Sequence, residues 1–88
     1  MTVFETTTSL DPQGVIARAK DFFSRRVPQY GAFPEKEGPG HVVLRGQGGE
    51  EIVISAAAAE GGSAVRGSSI LFGPYVKRFF TTLPRKAA

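Results

Sequence analysis

There is no cysteine in this chain. Its absence rules out a disulfide framework, a thiolate nucleophile and a thiolate metal site, and a cytoplasmic location suits such a composition. Histidine is nearly as scarce. His41 stands alone, and one histidine without cysteine cannot assemble a familiar zinc set. No apolar stretch approaches the roughly 18 residues of a membrane-spanning helix. The opening MTVFETTTSL has no basic segment leading into an apolar run, so it reads as mature protein rather than as a leader. One-sided charge is missing too: eleven Lys and Arg stand against eight Asp and Glu, for a net +3. Arg85 and Lys86 lie near the C-terminal end, which leaves the body of the chain close to balance. Specific nucleic-acid binding is therefore not expected, and neither is a cofactor.

What is present is an ordinary globular composition, 41% apolar over 88 residues. One domain, residues 1–84, is expected, followed by a flexible tail, residues 85–88. A chain this short buries only roughly 60% of its unfolded surface. Its core is thin, and self-association is a natural remedy.

Thr2 to Ser9 is threonine-rich with Val3 and Phe4, and reads as a strand. Val3, Glu5 and Thr7 share one face of it; Phe4 and Thr6 share the other. A helix follows, capped by Asp11 or Ser9, with Pro12 in its first turn. Val15, Ile16, Ala19, Phe22 and Phe23 recur on one helical face, and the helix is expected to stop before Pro28. Pro28 to Gly40 reads as a loop in which Ala32 and Phe33 pack or form a short edge segment.

HVVLRGQGGEEIVIS, from His41 to Ser55, alternates, breaks at a glycine corner and alternates again. It predicts a hairpin with strands His41–Gly46 and Glu50–Ala57. Glu60, Gly61 and Gly62 make a second turn, and Ser63 to Phe72 returns as a last strand, with Gly67 marking a bulge or tight bend. Val65 and Leu71 share one parity there; Ala64, Ile70 and Phe72 share the other. Gly73-Pro74 then opens a helix with the stripe Tyr75, Val76, Phe79, Phe80 and Leu83, ended by Pro84. The fold class predicted is α+β: an antiparallel four-stranded sheet with two helices packed on one face, in the order β-α-β-β-β-α. The other face of that sheet must be wet, cover a ligand or meet a second subunit.

Candidate chemistry is thin. GQGG, Gly46 to Gly49, lacks the lysine and the helix that a phosphate-binding loop requires, and answers instead to turn geometry. Glu50 and Glu51 are adjacent on a strand and face opposite ways, so they are no acid/base pair. Arg45 and Arg66 each lie within an alternating strand. They either pair with glutamates, Glu5 or Glu51, or line a shallow groove that accepts an acidic group. The doublets Phe22-Phe23 and Phe79-Phe80 make apolar arcs wide enough for a second member to face beyond the sheet, which points to a dimer interface or an apolar pocket.

A threonine-bearing first strand, a helix opened by Asp-Pro with Val-Ile-Ala and Phe-Phe, the glycine hairpin, GGSAVRGSS and a closing helix ending FFTTLP follow one another. This arrangement resembles a pared-down member of the helix-grip superfamily, the polyketide cyclase, START and Bet v 1-like domains. The resemblance implies ligand or lipid binding. Those domains are longer and enclose a cavity between a curved sheet and a long last helix, whereas the final helix here is about three turns. No functional residue carries over.

The expectation is a small binding protein for an apolar or amphipathic ligand, without covalent chemistry and self-associating as a homodimer. Its expected lining is Val43, Arg45, Val53, Val65, Arg66, Ile70, Tyr75 and Phe79. Two alternatives stand beside it: a homo-oligomeric interaction or assembly module without a small ligand, and a small cyclase- or isomerase-like enzyme. The enzyme reading lacks a base–nucleophile constellation.

Overall fold

A computed structural model describes residues 2–26, 32–46, 49–70 and 73–85. The expected residues Pro28, Tyr30, Gln47, Gly48, Leu71 and Phe72, together with 86–88 of the expected tail, lie outside the described residues.

The elements are β1 (Thr2–Thr8), α1 (Pro12–Asp21), β2 (Phe33–Gly38), β3 (His41–Arg45), β4 (Glu51–Ala59), β5 (Gly62–Ser69) and α2 (Gly73–Thr81). Among the described residues the class is α+β, with one antiparallel sheet and two α-helices. The sheet has five strands rather than four, in the spatial order β1-β5-β4-β3-β2, so the chain runs β-α-β-β-β-β-α. The additional strand is β2, FPEKEG, which sequence patterning assigns to a loop. It carries a proline and three charges because it is an edge strand, paired on one side only. A register shift between Pro34 and Lys36 lets Glu35 bulge out.

Alternation fixes the two faces. Val42 and Leu44 of β3, Ile52, Ile54 and Ala56 of β4, and Val65 of β5 are buried. The cross-strand pairs Val42–Ile54, Leu44–Ile52 and Ala56–Val65 place them on one side. Both helices lie there. α1 contributes Val15, Ile16 and Ala19, and α2 contributes Val76 and Phe79. α1 begins as its sequence dictates: the Asp11 carboxylate accepts a hydrogen bond from the Gly14 amide at 2.7 Å, and Pro12 occupies the first turn.

Phe22 and Phe23 correct an expectation. After Asp21 the helix widens into a π-turn, Phe22–Arg26, where the Ser24 hydroxyl donates to the Lys20 carbonyl. The wider turn lets both rings point inward. They are buried, meet each other edge to face at 5.0 Å between centroids, and both lie 5.6 Å from Phe79. This doublet leaves no surplus for a partner. In the second doublet Phe79 is buried and Phe80 half-buried against the core.

The ends of the sheet are tied by hydroxyls. Thr8 is fully buried and donates to the Pro84 carbonyl at 2.6 Å, fastening β1 to the segment after α2. Ser63 donates to the Leu10 carbonyl at 2.7 Å. Among the described residues no buried side-chain nitrogen or oxygen lacks a partner. No described helix is long and apolar enough to cross a membrane.

Candidate functional site: the open face of the sheet

The face turned away from the helices carries the opposite parity. Val3, Glu5 and Thr7 come from β1, Ala64, Arg66 and Ser68 from β5, Val53, Ser55 and Ala57 from β4, and His41, Val43 and Arg45 from β3. Register arranges them in rows across the sheet. Val3, Ser68, Val53, Val43 and Lys36 form a central row of three valines interrupted by Ser68 and ended by Lys36. Beside it runs Glu5, Arg66, Ser55 and His41. The exposed large apolar side chains among the described residues are Val3 at 48%, Phe33 at 51% and Ile70 at 76%. Parity puts all three on this open face: Phe33 pairs with Arg45, and Ile70 continues the Ser68 side of β5.

Among the described residues the face carries a trough and a second depression. A trough of about 720 Å³ is bordered by Glu5, Thr7, Ser55, Ala57, Ala64 and Arg66. Its depth follows from the small side chains of the AAAA end of β4 and of Ala64, set between longer Glu5 and Arg66. A second depression, about 360 Å³, lies between Val53, Ser68, Ile70 and the Arg45–Glu51 end. Clefts on the helix side are of smaller or comparable volume, about 410 Å³ beside Arg18 and Thr82 and about 320 Å³ beside Phe80 and Arg85. The space between helices and sheet is packed by Phe23, Phe79, Leu44, Ile52 and Ile54, which are essentially without exposure.

The two arginines differ in availability. Arg45 is fully engaged. Its Nε and Nη2 donate to the two Glu35 oxygens at 3.0 and 2.8 Å, Nη2 also reaches Glu51 at 3.3 Å, and Nη1 donates to the Gly49 carbonyl at 2.9 Å. This two-pronged bond holds the Glu35 carboxyl below its ordinary value. The Arg45 guanidinium is correspondingly raised, first by its hydrogen bond to Glu35. Arg45 therefore clamps the β2 bulge to β3, β4 and their turn. Among the described residues Arg66 makes only a long contact, 3.8 Å to Glu5, with side chains 64% and 70% exposed. In water such a pair holds its partners loosely. Register separates the two arginines by four residues of β4, about 13 Å along it and about 10 Å across it. They do not act together.

Of the eight residues expected to line a site, Val43, Arg45, Val53, Arg66 and Ile70 share the open face. Three do not. Val65 borders the trough, but its side chain is buried on the helix side; Phe79 is in the core; Tyr75 is half-buried on α2 against the core. The expected lining leaves out Val3, Ala57 and Ala64, although the run Ala56 to Ala59 reads in sequence as small side chains that permit close approach. Alternation in β1 puts Val3 and Glu5 on a common face, but only the β1–β5 pairing shows that it is also the face of Arg66. His41 is exposed at the start of β3, its ring lying over Gly38. Among the described residues it has no carboxylate partner, and no group of metal-ligating side chains gathers. No protein family, curated protein or solved structure matches the chain.

Proposed function

We propose that the protein is a small binding protein for an amphipathic ligand, taken up on the open face of the sheet without covalent chemistry, in the cytoplasm. The observation that carries this reading is the open face itself: exposed Val3 lies one row from the loosely held Arg66 and its trough, while Ile70 and Phe33 leave apolar surface exposed at the other end of the same face. Large apolar side chains left exposed on one face are surface that a ligand or partner can cover. An anionic head would sit at Arg66, displacing Glu5, while the apolar body lies over Val53 and Val43. The chain also opens on a strand and helix and closes on a helix, the layout behind the resemblance to helix-grip domains. Because the helix side is packed, the ligand of this reading lies outside the sheet rather than under the last helix.

Titration with a fluorescent long-chain carboxylate tests it. Saturable binding is expected, with Arg66→Glu weakening it about tenfold and a matched uncharged probe binding more weakly than the carboxylate. Absence of saturable binding at millimolar probe, or equal binding by the wild type and Arg66→Glu, would overturn the proposal.

A further inference from the structure

We infer that the open face is closed by a second copy of this chain, stacked sheet to sheet about a two-fold axis that runs along β4 over Val53. This rests on the reading of that face as the binding site, and adds that each trough is only half of the site.

The first argument is size. Five strands of five to nine residues make a face of roughly 24 Å by 23 Å, about 550 Å² before side-chain relief is counted. Two such faces bury on the order of 1,100 Å², just above the roughly 1,000 Å² that a specific interface needs. The second is self-complementarity, which a two-fold contact requires. With the axis along β4, Val53 meets the partner's Val53, and β5 lies over the partner's β3, so that Ser68 faces the partner's Val43. β1 lies over the partner's β2. Glu5 on one rim then comes within side-chain reach of the partner's Lys36 on the opposite rim, and symmetry makes that contact twice. The third is the trough. It lies at the Ala57–Ala64 end of the sheet, and an axis parallel to β4 keeps both troughs at the same end. Aligned sheets stack about 10 Å apart. Valines fill that gap at the centre, whereas Ala57, Ala64 and Ser55 leave it open. The two troughs join into one chamber with an Arg66 from each copy at its edge.

Sedimentation equilibrium across a range of concentrations, read together with carboxylate-probe binding, tests the inference. The wild type is expected to dimerise, and Val53→Asp to give monomers with an unchanged circular dichroism spectrum. Glu5→Lys or Lys36→Glu alone is expected to raise the dimer dissociation constant about tenfold, and the two together to restore it. The charge exchange keeps the test valid should Val53→Asp fail to fold. A wild type that stays monomeric at hundreds of micromolar overturns the inference; if that monomer binds the probe, the binding reading survives alone. A dimer indifferent to both single reversals overturns the stacking. A dimer that the single reversals weaken but that binds no probe upholds the interface and removes the ligand.

Discussion

Gly67 sits in the middle of β5 between Phe4 and Ile54 on the helix side of the sheet. A Cβ placed there would lie 2.6 Å from Val76 Cγ1 and 3.1 Å from Ile54 Cδ1. The residue therefore lets α2 approach the sheet. The sequence suggests a bulge or bend at this glycine, but pairing is regular on both sides of it, because a glycine in a strand can mark close approach as readily as irregularity. Those two readings are indistinguishable until the helix that crosses above is known. Gly67→Ala should cost about 1 to 3 kcal/mol by overpacking, read as a lower urea midpoint at unchanged slope. Wild-type stability in Gly67→Ala would show that α2 can retreat freely and that the glycine sets no distance. By contrast, Gly49 and Gly61, with φ of 88° and 76°, are turn glycines in the ordinary sense, and the sequence locates both turns.

At the scale of elements, legibility follows the strength of the local pattern. α1 was readable from Asp11-Pro12 and its apolar period; β3, β4 and β5 were readable from alternation and glycine corners. β2 was not, because an edge strand satisfies half its backbone with water and need bury nothing, so FPEKEG carries no alternation. What holds it is chemistry outside the strand signal: pairing to β3, the Lys20–Glu37 bridge at 3.1 Å, and the Arg45 clamp on Glu35. That clamp makes the edge pH-sensitive. Glu35 binds its proton more weakly in the folded chain than in the unfolded one, mainly because Arg45 is hydrogen-bonded to it. Its contribution is complete above the ordinary carboxylate value of 4.5, and is lost as pH falls through the depressed folded value. A carboxyl NMR titration should place the Glu35 midpoint below 4.5, and Arg45→Gln should return it to the ordinary range. Amide protection in β2, corrected for the intrinsic pH dependence of exchange, should fall over the same acid interval. An ordinary Glu35 midpoint in the wild type would mean that the clamp is absent in solution.

For the whole molecule, the thin core explains why one face of the sheet stays open. Two short helices cover one side, and among the described residues no element lies over the other. The sequence states this need, a bare second face, without saying which residues occupy it, because a one-residue change of register exchanges the two sides of a strand. That is why Val65 was expected beside Arg66 when their side chains point to opposite faces. If a second copy covers the open side, folding and association are linked, and stability depends on concentration by mass action. A tenfold rise in protein adds about 1.4 kcal/mol per mole of dimer, or about 0.7 per chain. For a domain of this size that raises the melting midpoint by about 3 to 5 °C. Melts across a hundredfold range of concentration should show a steady rise in the wild type. Val53→Asp should show none, and the exchanged pair Glu5→Lys with Lys36→Glu should recover it. A wild-type midpoint that does not move with concentration would mean that the open face contributes nothing to folding through self-association, and the central-row valines Val3, Val53 and Val43 would then have to be explained by a ligand alone.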